Sequence, residues 1–231
     1  MDPLSGSAWS APAMVAGFAD SPPNTTLMRF AQAELARGAA CALDVGCGAG
    51  RNTIPLAEQG WRIVGVDLSR PMIEAAARRV ESGGMAGRVC VALASMDALP
   101  IGNRSIDLII AHGIWNLARS GAEFRQAVIE AARVARPGAA LFVFTFSRRT
   151  LPEAARPVPG EAFIFTQFSG QPQCFLTEAQ LLEELESAGF VPDAAVPLTE
   201  HNAPRPGSLR TGSVPVIYEA AFRFTPRAAP H

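Results

Sequence analysis

Ala42-Leu43-Asp44-Val45-Gly46-Cys47-Gly48-Ala49-Gly50, followed by Val64-Gly65-Val66-Asp67, decides how this chain is read. The first stretch is a short apolar strand that runs into a glycine turn, and the turn opens a helix. The second is another buried strand, ending on a carboxylate. Glycines at such a turn let backbone approach a ligand closely, and an acid at the second strand's end stands where open α/β sheets bind a ribose diol. The spacing also separates cofactor classes. A dinucleotide fingerprint G-x-G-x-x-G/A needs a small residue at position 51, where this chain has Arg51. It carries G-x-G-x-G instead, so no pyrophosphate is expected over the turn.

Strand and helix signals alternate on either side. Leu27, Phe30, Ala31 and Leu35 recur at helical spacing and predict a helix over 25–37, with Gly38 as its C-cap. Strands are expected at 41–46, 62–67, 88–94, 106–111 and 141–146. Helices are expected at 51–59, from Ser69 to about Ser82, and from Ser120 to just before Pro137-Gly138. Ser120-Gly121-Ala122-Glu123 and Thr177-Glu178-Ala179-Gln180 read as capping boxes. Residues 147–173 are rich in Pro and Phe without a clear period. Two final strands are expected near 191–198 and 215–224, around a Pro- and Gly-rich 202–213. Alternation of this kind gives parallel strands, right-handed crossovers and helices on both faces; the two strands at the end suggest an antiparallel pair. Residues 1–24 read as a flexible arm or lid and 25–231 as one domain.

Composition narrows the function. The 231 residues carry a net charge of −1 and are 48% hydrophobic, which fits a soluble globule. No basic footprint for nucleic acid or a membrane surface is present. All 20 basic residues are Arg, so Schiff-base and P-loop chemistry are excluded. Cys41, Cys47, Cys90 and Cys174 show neither a C-x-x-C pair nor metal spacing. The first three sit in or beside apolar runs and read as buried reduced thiols in a cytoplasmic protein, with no metal. No apolar span is long enough for a membrane helix, and the N-terminus lacks the charged region of a signal peptide.

These motifs resemble the class I S-adenosylmethionine-dependent methyltransferases. The likeness rests on 43–50 as the first motif, Gly65-Val66-Asp67-Leu68-Ser69 as the ribose-binding strand end, and Met96-Asp97-Ala98-Leu99-Pro100 as the adenine segment. Ser105-Ile106-Asp107-Leu108-Ile109-Ile110 matches the fourth strand and Arg136-Pro137-Gly138-Ala139 the turn before the fifth. The resemblance implies an α/β, Rossmann-like, doubly wound seven-stranded sheet, mostly parallel with an antiparallel last strand. Asn52, Thr53 and the Glu200-His201 pair are also similar to tellurite-resistance-type small-molecule methyltransferases.

The resemblance and the residues together imply roles. Gly46, Cys47, Gly48 and Gly50 would pass beneath the cofactor, where a side chain would take the ligand's volume. Asp44, inside an apolar run, either pins the loop or meets the cofactor's ammonium through water. Asp67 would accept from both ribose hydroxyls; otherwise it is a helix N-terminal acid. Asp97 would accept from the adenine amine, with Leu68 or Met96 on the ring; otherwise it is a solvated turn residue. His112 would contact cofactor or act as base, and His201 is a second base candidate. Trp115 would wall the methyl or substrate site, core packing being its alternative. The expected activity is methyl transfer from S-adenosyl-L-methionine to a small-molecule acceptor, by a monomer or homodimer. The alternatives are cyclisation or alkyl transfer releasing methylthioadenosine, and a non-catalytic cofactor-binding partner protein.

Overall fold

The computed structural model describes residue 4, residues 6–203 and residues 214–226. The elements run α1 (Pro12–Asp20), α2 (Thr25–Ala36), β1 (Cys41–Val45), α3 (Thr53–Gln59), β2 (Arg62–Asp67), α4 (Arg70–Ser82), β3 (Val89–Leu93) and β4 (Ile106–His112). There follow α5 (Gly121–Val134), β5 (Ala135–Phe146), β6 (Ile164–Phe165), β7 (Gln173–Cys174), α6 (Glu178–Ser187), β8 (Phe190–Pro192), β9 (Thr199–His201) and β10 (Ile217–Phe224).

The main sheet has the order β3-β2-β1-β4-β5-β10-β8, and β9 also pairs with β10. β1 to β5 are parallel neighbours, whereas β10 is antiparallel to β5, β8 and β9. The sheet is thus α/β, mostly parallel and doubly wound, but it has eight strands where seven were expected. The extra strand has a local cause. The stretch expected as one strand near 191–198 is broken between β8 and β9, which pair with opposite ends of β10. Pro192 and Pro197 cannot donate to a ladder. Between them Asp193 N–H donates to Ala221 O and Ala221 N–H to Val196 O, so the edge bulges there.

Side chains alternate across the strands and fill two cores. Leu43, Val45, Ile109, Ala111, Leu141 and Val143 pack toward Phe124, Val128 and Leu181. Ala42, Ile63, Leu108, Ile110, Ala140 and Phe142 pack toward Leu27, Phe30, Leu56 and Trp61. Burial of each large side chain contributes about 1.5–3 kcal/mol, and these two layers hold the carboxyl ends of β1, β2 and β4 in register. Capping sets where the helices begin. Asn24, Ser69, Ser120 and Thr177 each accept a backbone N–H of their helix's first turn. Thr177 and Gln180 complete a capping box. At Ser120 the reciprocal half goes elsewhere, because Glu123 accepts from the Arg119 N–H. The helix expected to stop before Pro137-Gly138 ends at Val134; that dipeptide lies within β5, where the pairing with β4 shifts register. Within 147–175, β6 and β7 form a separate hairpin over a cluster of Phe146, Phe165, Phe168 and Phe175.

Candidate cofactor crevice

The glycine turn is stitched to β2 by two bonds, from Gly46 and Cys47 N–H to Val66 O at 2.8 and 3.0 Å. Gly46, Gly48 and Gly50 have φ of 71°, 54° and 84°, a left-handed conformation that costs a residue with a Cβ about 1–2 kcal/mol. A Cβ on Gly46 would stand 2.7 Å from the Ile114 side chain. The space above that glycine is therefore filled by this protein's own isoleucine, which corrects the expectation of ligand volume there. At Gly48 the nearest groups are Phe18 and Met72, at 3.7 and 3.8 Å. Backbone strain alone then sets the cost of a methyl, and Gly48→Ala should lower stability in urea by about 1–2 kcal/mol.

Asp67 ends β2 with its carboxylate turned toward the turn. One oxygen accepts from Gly48 N–H at 2.9 Å and the other from Ser69 N–H at 2.8 Å. Ser69 Oγ donates to Trp9 O at 3.2 Å. Val15, Phe18 and Ala19 of α1 pack on Ala49, Met72 and Ala75, so α1 lies across the turn and the start of α4. Arg51 donates to Pro22 O at 2.7 Å and ties the segment after α1 to the same place. Leu68 is half-buried beside Asp67. On the next strand's exit Met96 is buried, and the half-buried Asp97 accepts from Ser95 Oγ. Asp44, Gly46, Cys47, Gly48, Gly50, Asp67 and Leu68 thus come together at the carboxyl end of β1 and β2.

Asp44 is buried beneath the turn and accepts from Thr53 Oγ1 at 2.7 Å. Burial raises its pKa to about 7, against the opposing pull of the Thr53 bond, with Asp67 adding repulsion. His112 stacks on Phe144, with ring centroids 4.2 Å apart and planes at 7°. Its Nε2 accepts from Asn24 Nδ2 at 3.2 Å, and burial, helped by the charge of Arg51, lowers its pKa to about 4. At neutral pH the ring is uncharged and its bare nitrogen is occupied, so His112 is a poor base, contrary to one of the two roles expected for it.

The two shifts oppose each other. His112 titrates near 6.5 when unfolded and about 4 when folded, so its contribution to stability is full above about pH 6.5 and lost as pH falls toward 4. Asp44 keeps its proton to about pH 7 when folded but loses it near 3.8 when unfolded, so stability is lost as pH rises through that window. Each slope is about 1.4 kcal/mol per pH unit, with opposite sign. The wild type should show a nearly flat urea midpoint where they overlap. Asp44→Asn should leave a midpoint that climbs with pH, and His112→Gln one that falls.

Other sequence candidates lie elsewhere. Trp115 is fully buried against Phe124 at 5.9 Å, in the core beneath the sheet's end, so its ring does not wall the crevice; its neighbour Ile114 does. Cys47 is buried as expected, but Cys90 is exposed on the edge strand β3 and Cys41 is half-buried beside Arg62. His201 stands 3.4 Å from Glu219 Oε1. Residues 1–3, 5 and 204–213 of the expected arm and loop lie outside the described residues. Sequence reasoning passed over Asn24 and Glu219, which meet at 2.7 Å. Asn24 precedes a helix start, and Glu219 is an acid inside the apolar run 217–224; both were visible signals. Among the described residues no three His, Cys, Asp or Glu gather as a metal site, and no helix is long and apolar enough to cross a membrane.

Residues 42–138 match the methyltransferase domain family. The chain is 31% identical over 181 residues to methyltransferase GfsG of Streptomyces halstedii, covering 78% of this chain and 60% of that one. The chain therefore spans less than two thirds of this relative. Two solved structures share the fold. The Burkholderia thailandensis 1,6-didemethyltoxoflavin-N1-methyltransferase, with bound 1,6-didemethyltoxoflavin and S-adenosylhomocysteine, matches at TM-score 0.62 and 22% identity, over 86% of this chain and 78% of that one. The [4+2]-cyclase SpnF matches at 0.64 and 21%, over 90% and 85%. The turn, the strand-end acid and the sheet order thus belong to a stretch that is similar to methyltransferase domains, on a fold that these structures share.

Proposed function

We propose that this protein transfers the methyl group of S-adenosyl-L-methionine to a small-molecule acceptor. The observation that carries the reading is the Asp67 carboxylate, held at the end of β2 against the Gly48 and Ser69 amides. The donor set suits this cofactor. Carboxylates at the ends of two adjacent strands can accept from ribose hydroxyls and from an adenine amine. The one cation inside the G-x-G-x-G-x segment, Arg51, donates to Pro22 O. In this reading Asp67 takes the ribose, Asp97 the adenine amine, and Leu68 and Met96 flank the ring. The backbone of 46–50 lies along the methionine part, with Asp44 fixing the turn through Thr53.

When bound, the cofactor supplies an already activated methyl group on its sulfonium. The protein's task is then to orient the acceptor and exclude water, and alignment of this kind contributes about 7–11 kcal/mol. Ile114 and the stacked His112–Phe144 pair provide a firm surface on the acceptor side. Phe18 over Gly48 makes α1 a cover for the crevice, with the preceding turn anchored at Ser69. The test is titration calorimetry with S-adenosylhomocysteine, followed by mass spectrometry of the protein with labelled cofactor and a metabolite pool. S-adenosylhomocysteine should appear together with a methylated product. Methylthioadenosine, or cofactor binding with no product, would refute the reading.

A further inference from the structure

The crossover from β3 to β4, residues 94–105, contains no helix. A helix is the usual carrier of a parallel crossover and satisfies its own backbone groups; here those groups need partners from elsewhere. α5 supplies them. Leu99 N–H donates to Glu130 Oε2 at 2.8 Å. Arg133 donates to Leu99 O at 2.9 Å, to Ile101 O at 2.7 Å and to Asn103 Oδ1 at 2.7 Å. At the end of the helix Arg133 O accepts from Arg104 N–H at 3.0 Å and Val134 O from Ser105 N–H at 2.9 Å. Glu130 and Arg133 also hold each other, through Arg133 Nε to Glu130 Oε1 at 2.6 Å and Nη2 to Oε2 at 2.8 Å. Glu130 is 9% exposed, and the Arg133 bond holds its carboxyl below the usual carboxylate range. Both polar groups of the Leu99 backbone are thus taken by one charged pair, and charge-assisted bonds are about twice as strong as neutral ones. Two residues upstream stands Asp97. One of its oxygens accepts from Ser95 Oγ, and the other has no hydrogen bond among the described residues. Met96 and Leu99 are buried on either side of it.

We propose that Glu130 and Arg133 are positioning residues for base recognition: by fixing the Leu99 backbone they hold the Asp97 carboxylate where a 6-amino purine donates, and so make the protein select an adenosyl cofactor over its 6-oxo counterpart. The proposal rests on the methyl-transfer reading, in which Asp97 takes the adenine amine. A 6-amino group donates to a carboxylate, whereas a 6-oxo group sets a second acceptor against it. That mismatch discriminates only against a fixed carboxylate, because a loose segment would swing the acid out to water. Neither Glu130 nor Arg133 bonds to Asp97 itself, so both act through the backbone between.

The test is titration calorimetry with two probes, S-adenosylhomocysteine and S-inosylhomocysteine, which differ at the purine 6-position and the N1 proton that goes with it. Wild type should bind the adenosyl probe tighter by about tenfold or more, the scale of one hydrogen bond to a charged acceptor. Glu130→Gln removes the charge from the grip. Arg133→Lys keeps a cation beside Glu130 but cannot fork to Leu99 O and Ile101 O together. Each should cut the preference by about threefold or more, the scale of one ordinary hydrogen bond, while the inosyl probe binds much as it does to wild type. A merely structural pair would lower stability, or both affinities alike, and leave the ratio where it was. Arg133 is the more exposed of the two, so Arg133→Lys decides the matter if Glu130→Gln does not fold. A ratio equal to that of wild type in Arg133→Lys overturns the proposal, as does wild type that binds both probes equally. Wild type that binds neither probe would instead sink the underlying cofactor reading, and the proposal with it.

Discussion

Asp67→Ala is expected to weaken S-adenosylhomocysteine binding by about 10²–10⁴. A hydrogen bond to a charged acceptor is worth about 1.5–3 kcal/mol, and a carboxylate at this strand end would accept two from a ribose diol, which converts to that range of affinity. The same carboxylate also receives Gly48 N–H and Ser69 N–H, so alanine additionally loosens the glycine turn. Asp67→Asn weighs the two effects. It keeps the shape but only one acceptor oxygen, so its amide nitrogen faces either the Gly48 or the Ser69 N–H; the urea midpoint should drop for that lost tie while affinity falls by about tenfold or more. Calorimetry that found Asp67→Ala binding as tightly as wild type would show the acid to be merely a tie between β2, the turn and α4.

The parts of the fold that could be read in advance are those where local chemistry and global packing agree. β2 falls at 62–67, and β4 differs from expectation only by including His112, because each is an apolar run, interrupted only near its start by Arg62 or Asp107, that ends on a polar residue. The helix after Ser69 starts where its cap and Pro71 dictate. What escaped was set by distant partners. The break between β8 and β9 depends on where Pro192 and Pro197 fall against β10, which no local period reports. The β6–β7 hairpin is held by a cluster of phenylalanines drawn from four separate places in 146–175, so no periodicity marks it. In the crevice, the turn and Asp67 were legible from spacing. Trp115 and Ile114 were not distinguished, because adjacent residues after a strand point opposite ways and only the packing of Phe124 decides which goes inward. Asn24 reaches partners 28, 88 and 195 residues away, contacts that no reading of neighbours would find.

Asn24→Ala should cost about 1.5–5 kcal/mol of stability, more than an ordinary helix cap. Loss of the N-cap bond to Leu27 accounts for about 0.5–2 kcal/mol. Removing the amide also takes a donor from the buried Glu219 carboxylate, at about 1–3 kcal/mol more. The Asn52 contact survives in part, since Asn24 contributes its backbone N–H there. Asn24→Asp dissects the sum, because aspartate caps a helix as well as asparagine does yet places a second carboxylate against Glu219. Two facing carboxylates cannot both ionise cheaply, so the Asp variant should be weakest at alkaline pH and recover as the medium is acidified toward pH 5. The Ala variant should show no such recovery beyond that of wild type. Urea unfolding of the three proteins across pH gives the answer. A loss below about 0.5 kcal/mol in Asn24→Ala, the scale of an indifferent surface change, would mean that the bridge from α2 to β4 and β10 holds nothing together.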